Sequence, residues 1–566
     1  MSDHLRASFA VMAVAASLAA CSSMSETGAG KDTDGNNPYG TYLSARFAAS
    51  EHDLSNAASL YRESLTLDPK NAELLDKAFL YTAISGNLDG AVALAHRMIA
   101  DNADNRAARL ALAVDAFKKG DYGDARSEIE KSAKGPFTAL TLSLLNAWAL
   151  QGQGDTDGAL AELKKIPSEG GTETLASFQS ALVNDLAGRK DAADAAYRQT
   201  LTAGVSPRPV EAYGRFLERS GRTAEARAFY TKLLAEASVK PIAAQGLARL
   251  DAGQTPERLV SSPADGVAEA LFGIAASLTD QTTADTAILC YLQFAIALSP
   301  KLDLAKIVLA DRYETLEKFD SAIAIYRTVN PDSPYKAAAD VQIAVDENRS
   351  GKTPQATADL VAITKARPND ISAWTSLGDV YRTAENYAAA ADAYDHAVKL
   401  ISPVTKDDWP LFFSRAVAEE QSGRWNLAEN DLETALKLSP DQAQVLNFLG
   451  YSWVDRGQHL AEALVMLEKA RALSPYDGYI VDSVGWAYFR LGRYGDAAKT
   501  LENAVLLVPG DSTINEHLGD AYWRVGRKLD AHFQWSHALA FGPDAAAKTK
   551  LQKKLQSGLE PGGDPT

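Results

Sequence analysis

The sequence predicts an all-α fold in which helix–turn–helix hairpins stack into a superhelical α-solenoid. Two landmarks recur with nearly one period along the 566 residues: a proline in the second half, and an alanine through most of the chain. The prolines are Pro300, Pro334, Pro368, Pro403, Pro440, Pro475, Pro509 and Pro543. The alanines are Ala57, Ala91, Ala125, Ala159, Ala193, Ala226, Ala322, Ala356, Ala390, Ala428, Ala463, Ala497 and Ala531. A fixed period of this size indicates stacked units that bury their apolar faces against their neighbours.

One well-preserved unit shows what each repeat contains. Its two predicted helices carry apolar and small residues three or four positions apart, as one helix face requires. These residues are Trp374, Leu377, Gly378 and Tyr381 in the first helix and Ala390, Tyr394 and Ala397 in the second. We expect Ala390 to meet Gly378 where the two helices pack. The pattern resembles the tetratricopeptide repeat (TPR), and the resemblance implies a tetratricopeptide-repeat superhelix.

Glycines mark the predicted turn inside three later hairpins. Gly457, Gly492 and Gly526 each follow another glycine by seven residues, at the place where the first helix must end. A helix that ends in this way favours a left-handed backbone, which glycine adopts without a steric penalty. We therefore expect these three residues to have positive φ angles.

The repeats divide the chain into predicted segments. We expect an N-terminal array over residues 41–252, an irregular joint over 253–266 and a C-terminal array over 267–543. The joint contains Pro256 and Pro263 and lacks helical periodicity. Just after it, the alanine landmark is expected at a shifted position, Ala287. A capping helix is expected over 544–557, with a disordered tail over 558–566.

The N-terminus carries an apolar run that ends at a cysteine. Phe9 to Ala20 is too short to span a bilayer and has the length of a signal-peptide core. The run closes as Leu18-Ala19-Ala20-Cys21, which resembles the lipobox of bacterial lipoproteins. That resemblance implies a signal peptide over residues 1–20 and lipidation of Cys21. The alternative is an ordinary secretory peptide that is cut at a small-residue site.

The residues after Cys21 indicate where the protein is held. Ser22 and Ser23 follow the cysteine, so no aspartate stands at the position that retains many lipoproteins in the inner membrane. By resemblance, we expect a lipid-anchored protein on the periplasmic face of the outer membrane. The stretch up to Gly40 is rich in small polar residues and predicts a flexible tether over 21–40.

Composition and motifs argue against several functions. The chain has 57 basic and 73 acidic residues, and a net charge of −16 opposes nucleic-acid binding. No two of its eight histidines have zinc-binding spacing, and no phosphate-binding glycine loop occurs. Cys290 lies in an apolar helical run and is predicted to be a small buried side chain. We expect no catalysis, cofactor, metal or small-molecule substrate.

A predicted partner-binding stripe follows from helix geometry. A residue one position after a core residue lies about 100 degrees around the helix, and in tetratricopeptide arrays this flank lines the concave groove. In the C-terminal repeats the stripe consists of Tyr451, Asp482, Trp486, Phe489, Arg490, Asp520, Trp523 and Arg524. Aromatic residues and arginine are common anchors for protein partners. The alternative is that Trp486, Phe489 and Trp523 pack against neighbouring repeats.

These observations predict a non-catalytic protein-binding scaffold that is lipid-anchored in the bacterial envelope. The segments 482–488 and 514–527 resemble the C-terminal end of long bacterial tetratricopeptide lipoproteins. Some members of that group are adaptors for a carboxyl-terminal processing protease, and the resemblance implies this role here. The alternative is a structural component of an envelope machine for pilus assembly, outer-membrane assembly or polysaccharide export.

Overall fold

The computed structural model describes residues 38–167, 172–279 and 284–560. The predicted signal peptide, Cys21 and most of the tether lie outside these ranges, as do residues 561–566. All regular structure in the described ranges is helical and comprises thirty α-helices and one short 3-10 turn. The predicted all-α repeat fold is therefore confirmed. Within these ranges, no helix combines the length and apolar character that spanning a bilayer requires.

The described residues form two compact units, which divide between Asp359 and Leu360. The N-terminal unit contains helices α1 to α18 and the first part of α19. These helices are α1 (Pro38–Ser50), α2 (Leu54–Leu67), α3 (Ala72–Ile84), α4 (Leu88–Asp101), α5 (Arg106–Lys119), α6 (Tyr122–Glu130), α7 (Pro136–Gly152), α8 (Thr156–Leu163), α9 (Thr172–Leu186), α10 (Lys190–Thr202), α11 (Pro207–Arg219), α12 (Thr223–Leu233), α13 (Lys240–Asp251), α14 (Pro263–Ser277), α15 (Asp285–Leu298), α16 (Asp303–Thr315), α17 (Phe319–Tyr326), α18 (Lys336–Arg349) and α19 (Thr353–Ala366).

The C-terminal unit contains the rest of α19 and eleven further helices. They are α20 (Ile371–Thr383), α21 (Tyr387–Leu400), α22 (Trp409–Gln421), α23 (Trp425–Leu438), α24 (Ala443–Asp455), α25 (Leu460–Leu473), α26 (Gly478–Arg490), α27 (Tyr494–Leu507), α28 (Ser512–Arg524), α29 (Lys528–Ala540) and α30 (Ala545–Ser557). Successive helices pair into antiparallel hairpins, such as α26 with α27 and α28 with α29. The predicted capping helix corresponds to α30.

The turns inside the hairpins follow the predicted glycine rule. Gly457, Gly492 and Gly526 have φ angles of 67°, 74° and 86°, so the expected left-handed conformation is confirmed. Three turns place a different residue in this conformation: His52, Glu317 and Glu385. The next helix often begins with an aspartate or asparagine whose side chain accepts a hydrogen bond from a backbone N–H three residues later. Examples are Asn87, Asp121 and Asp155.

The alanine landmarks lie at the centre of the hairpins. All thirteen are completely buried. The expectation for Ala287 is wrong, because that residue is exposed and Ile288 occupies the equivalent buried place twelve residues before Pro300. The expected contact between Ala390 and Gly378 stays a prediction, but the nearest side chain is a different one: a Cβ on Gly378 would lie 2.5 Å from the ring of Tyr394, four residues after the alanine. The first-helix glycine therefore makes room for the bulky residue of the second helix.

Helices α14 and α15 pack onto the inner face of the N-terminal unit, which we define as the surface formed by the first helices of its hairpins. Helix α14 contacts α5, α7 and α9, and α15 contacts α3 and α5. Gly266 lies so close to Trp148 that a Cβ would come within 2.3 Å of the indole ring. Gln293 donates to the Ile84 carbonyl over 3.2 Å. Helices α14 and α15 thus cover the first helices of four successive hairpins, which are α3, α5, α7 and α9.

This packing differs from the expected domain organisation. The irregular segment covers residues 252–262, and helix α14 already begins at Pro263. The following hairpin returns to the preceding repeats, and the boundary between compact units comes about a hundred residues later. Nearly every residue of helix α14 from Asp265 to Ala275 is buried, so this helix packs against other helices on all of its sides. The first helix also begins earlier than expected, at Pro38, because proline is compatible with the first turn of a helix.

Candidate protein-binding surface

The eight residues of the predicted stripe lie on α24, α26 and α28, the first helices of three successive hairpins. Two of them, Trp486 and Phe489, take part in a stack of rings in the middle of the stripe. Trp486 stacks on Phe489 with ring centroids 4.9 Å apart and on His517 with centroids 4.0 Å apart. The stack therefore joins α26 to α28 through His517, which is not one of the eight residues.

Four of the eight side chains in the stripe are buried, so a partner protein could not contact them. Asp482, Trp486, Phe489 and Asp520 are buried, and Trp486 is only 5% exposed. This corrects the expectation of an open stripe and agrees with the alternative for Trp486 and Phe489. The physical reason is that successive first helices pack against each other, as α26 does against α28. The flank one position after a core residue is consequently covered by the next repeat.

Buried polar contacts hold the stripe together. The His517 ring nitrogen Nδ1 lies 3.0 Å from the carboxylate of Asp482, and both side chains are buried. Burial disfavours a charged imidazole, but the Asp482 carboxylate outweighs it and raises the pKa of His517. This contact joins α26 to α28, so Asp482 has a structural role.

The end of the stripe is covered by the C-terminal segment of the chain itself. Lys554 of α30 reaches Asp520 over 2.6 Å and Glu516 over 2.5 Å. Gly558 lies against the Trp523 ring, and Arg524 donates to the Glu560 carbonyl over 3.0 Å. The predicted disordered tail therefore starts with three residues that pack on the repeat. Partner binding by the half-buried Tyr451, Arg490, Trp523 and Arg524 stays a prediction.

A second surface was missed by the sequence analysis. We call it the outer stripe, and it consists of Leu529, Phe533 and His537 of α29 with Phe541 at its C-cap. All four are exposed, Leu529 by 71% and Phe533 by 58%. Apolar exposure of this kind on a folded surface marks protein-interaction sites.

The outer stripe has a sequence signal. The buried face of α29 is formed by Ala531, Trp535 and Ala538, which follow the repeat pattern. Leu529 and Phe533 each precede a member of that face by two positions and are themselves four apart, so the helix has a second apolar face. The repeat pattern explains only the first face.

Comparison with known proteins identifies the repeats. A protein-family model described as "Tetratricopeptide repeat" matches residues 85–138, 342–403, 413–477 and 485–546. The repeats in these four ranges are tetratricopeptide repeats. The matched ranges fall in both compact units, and proteins built from such repeats are generally non-catalytic scaffolds for protein–protein interaction. Among the described residues, no group of three potential ligands could hold a metal ion.

Individual tetratricopeptide proteins resemble parts of the chain. The TPR repeat-containing protein PA4667 of Pseudomonas aeruginosa is 36% identical over 93 residues, which are 16% of this chain and 16% of that protein. Superkiller complex protein 3 of Mus musculus is 28% identical over 171 residues, which are 30% of this chain and 10% of that protein. The matches thus span only a small part of each relative's length.

Two solved structures also align with the chain, each over nearly its own full length and at low sequence identity. The APC/C hetero-tetramer Cut9-Hcn1 aligns with 88% of this chain and 98% of its own at 17% identity and a TM-score of 0.38. A tetratricopeptide repeat protein from Parabacteroides merdae aligns with 45% of this chain and 99% of its own at 15% identity and a TM-score of 0.37.

Proposed function

We propose that this protein is a non-catalytic scaffold that is attached by a lipid on Cys21 to the periplasmic face of the outer membrane and binds other envelope proteins there. The observation that carries the binding role is the outer stripe, which presents Leu529 and Phe533 to solvent on a tetratricopeptide hairpin. Large exposed apolar side chains on a rigid helix supply the anchors that protein interfaces use. The lipobox-like sequence before Cys21 supports the lipid anchor.

We further propose that the partners include a carboxyl-terminal processing protease and its substrates. Support comes from the resemblance of residues 482–488 and 514–527 to the end of long bacterial tetratricopeptide lipoproteins, and from the similarity of one segment to a bacterial tetratricopeptide protein. In this role the scaffold contributes proximity, because binding two proteins on one array raises the effective concentration of each near the other.

Capture of partners from detergent-solubilised membranes tests the binding surface. The decisive variant is Leu529→Ser with Phe533→Ser, because both side chains are exposed and the change leaves the core intact. Trp486→Ala suits this test poorly, since removing a buried indole destabilises the repeat. Leu506→Ser, which changes an exposed leucine of α27, is the matched control.

We expect the outer-stripe variant to lose a protease that the wild type and the control retain. Retention of every partner by the variant would contradict a role for the outer stripe. Stoichiometric capture of a secretin, an outer-membrane barrel or a polysaccharide synthase would instead favour the alternative of an envelope machine.

The lipid anchor has a separate test. Mass spectrometry of the mature protein should find diacylglycerol on Cys21 as the first residue, and Cys21→Ser should move the protein to the soluble fraction. A mature N-terminus at another residue, without lipid, would contradict the anchor while leaving the binding surface untouched.

A further inference from the structure

Helix α1 exposes a row of apolar side chains along one face. Tyr39, Leu43 and Phe47 are 80%, 60% and 66% exposed. Because they follow one another at intervals of four residues, they lie along the same side of the helix. The buried residues of α1, Ala45 and Ala48, lie on another side, and α1 packs against α2. The exposed row is therefore a second apolar face of this helix.

Comparison with the next repeat shows what covers this side of the helix elsewhere. Tyr81 of α3, 34 residues after Phe47, stacks on Tyr61 of the preceding hairpin with ring centroids 5.1 Å apart. In the described part of the chain no hairpin precedes α1, which packs extensively only against α2. Phe47 therefore stands open on the side that a preceding repeat covers in α3.

The other two positions of the row carry charged residues in the next repeat. Glu73 and Lys77 of α3 lie 34 residues after Tyr39 and Leu43. Charged side chains of this kind suit a position at the edge of a repeat, where water is within reach. Large apolar residues at the same positions of α1 indicate an interaction surface.

The charge on α1 differs from that of the whole chain. The helix contains no acidic residue and one arginine, the exposed Arg46, whereas the chain has 73 acidic and 57 basic residues. The nearest acidic residues that the structure describes, Glu51 and Asp53, come after the end of the helix, and Asp53 caps the start of α2. Exposed Tyr, Leu and Phe side chains with a cation and without carboxylates are typical of helices that bind a phospholipid surface.

The position of α1 along the chain brings it close to the proposed attachment point. Cys21 and Pro38 are 17 positions apart. A chain extends by at most about 3.3–3.6 Å per residue, so α1 starts no more than about 60 Å from a lipid on Cys21. Such attachment holds the helix at a high effective concentration beside the membrane, so a small apolar contact is enough to keep it there.

A second copy of the chain fits this face less well. The three side chains together expose roughly 400 Å², given the usual area of aromatic and aliphatic side chains. A stable protein interface buries about 800 Å² on each partner. A phospholipid surface needs neither that area nor a complementary shape.

We propose that α1 lies on the phospholipid surface that holds the protein, with Leu43 and Phe47 inserted between the lipid headgroups. Arg46 supplies a positive charge that attracts lipid phosphates. At 13 residues the helix is too short to cross a bilayer, so it lies in the plane of the surface. This inference rests on the proposed attachment at Cys21, which supplies the proximity, and it adds a contact that the attachment alone does not require.

Photo-crosslinking of the full chain in bacterial envelopes tests this contact. Benzoylphenylalanine, incorporated in place of Phe47, forms a covalent bond on irradiation with the molecule that lies beside it. We expect mass spectrometry to find phospholipid attached to the tryptic peptide 47–62. The control carries benzoylphenylalanine in place of the exposed Tyr476 and should give at least about tenfold less lipid adduct, because that position is not part of the proposed contact.

A second substitution tests the face as a whole. Leu43→Asp should lower the lipid adduct at position 47 at least about threefold, because a carboxylate is unfavourable between lipid headgroups and acyl chains. Leu506→Asp, at an exposed leucine of α27, is the matched control and should leave the adduct unchanged, and thermal melting verifies that both variants are folded. An adduct that Leu43→Asp does not lower would overturn the proposal.

The crosslinked product also identifies any other occupant. A covalent dimer of the chain, a crosslink to a different protein, or no lipid adduct at position 47 would each overturn the proposal. The mass of the peptide that contains Cys21, measured in the same sample, shows separately whether the anchor is present. A lipid adduct at position 47 in a chain without lipid on Cys21 would support the surface contact and contradict the anchor.

Discussion

At the scale of single residues, one polar contact recurs inside the hairpins. The aromatic residue four positions after the alanine landmark donates a hydrogen bond to an acidic residue on the first helix. The pairs are Tyr197 with Asp185, Tyr230 with Glu218, Tyr326 with Glu314, Tyr394 with Asp379 and Trp535 with Asp520. In three repeats the same acid also binds an arginine of a following helix: Arg219, Arg249 and Arg349. In these three repeats the acid thus links the two helices of a hairpin to the next repeat, which satisfies its charge.

The close approach of glycine and aromatic ring predicts a strong substitution effect. In Gly519→Ala the new Cβ would lie 2.5 Å from the Trp535 indole, a rigid ring that cannot move away easily. We expect a loss of about 1–3 kcal/mol in the free energy of unfolding, measured by urea titration. Gly495→Ala is the control, since nothing lies within 4 Å of its Cβ position in helix α27, and it should gain about 0.5–1 kcal/mol. Equal effects of the two changes would contradict this packing.

A buried carboxyl group predicts a pH dependence. Burial, with a further contribution from Asp431, raises the pKa of Glu419 from 4.5 to about 7. Between these values the folded chain holds a proton that the unfolded chain has released, so stability falls as the pH rises to about 7 and then levels off. Glu419→Gln should therefore be more stable than the wild type by about 1–3 kcal/mol at pH 8 and no more stable at pH 4. Thermal unfolding at both pH values measures the difference, and a gain at pH 4 of the same size would contradict it.

At the scale of helices, the local rules could be predicted and the contacts between helices could not. The positive φ angles of Gly457, Gly492 and Gly526 followed from sequence because a helix end has few backbone solutions. The burial of Trp486 and Phe489 did not follow, because it depends on how closely the next first helix approaches. The alanine series likewise did not predict that Ile288 replaces an alanine, since either residue can fill a core position when its neighbours adjust.

The capping helix α30 predicts a contrast between adjacent lysines. Lys554 is bound to Asp520, which is buried, whereas Lys553 is exposed. Lys554→Ala should lower the free energy of unfolding by about 2–3 kcal/mol, because it leaves the Asp520 carboxylate buried without its cation. Lys553→Ala should change it by less than about 0.5 kcal/mol. Chemical denaturation of both variants measures the contrast, and similar values would show that the ion pair contributes little.

At the scale of the whole molecule, the period of the sequence predicted a stack of helix hairpins but not the path of the chain. Helices α14 and α15 keep the helical pattern, yet they pack on helices more than a hundred residues earlier, such as α3 and α5. Periodicity reports which face of a helix is apolar and does not report which distant helix covers it. A cavity of about 210 Å³ in the N-terminal unit, lined by Arg208, Glu257 and Tyr335 among others, was unpredictable for the same reason, because its lining comes from segments that the returning hairpin brings together.

The ion pair between Arg208 and Glu269 tests how much the packing of α14 on the preceding repeats contributes to stability. Both are buried, and they join α11 to α14 across 61 residues. Arg208→Met should destabilise the protein by about 3–5 kcal/mol, since it leaves Glu269 buried and uncompensated. Adding Glu269→Leu should recover a large part of the loss, because Glu211 keeps its bond to Arg215. Urea titrations measure the free energy of unfolding of each variant. If the loss in the double variant equals the sum of the losses in the two single variants, this coupling is contradicted.

Helices α14 and α15, which pack on the inner face, also limit where the protein can be truncated. A fragment that stops before Pro263 would lose α14 and α15 and would uncover the apolar sides of α3, α5, α7 and α9 together. An exposed apolar surface on four adjacent helices promotes self-association, so such a fragment should precipitate even though each of its repeats is intact. A shortened version should instead extend to Ala366, so that it keeps the whole of α19, the helix within which the compact unit ends.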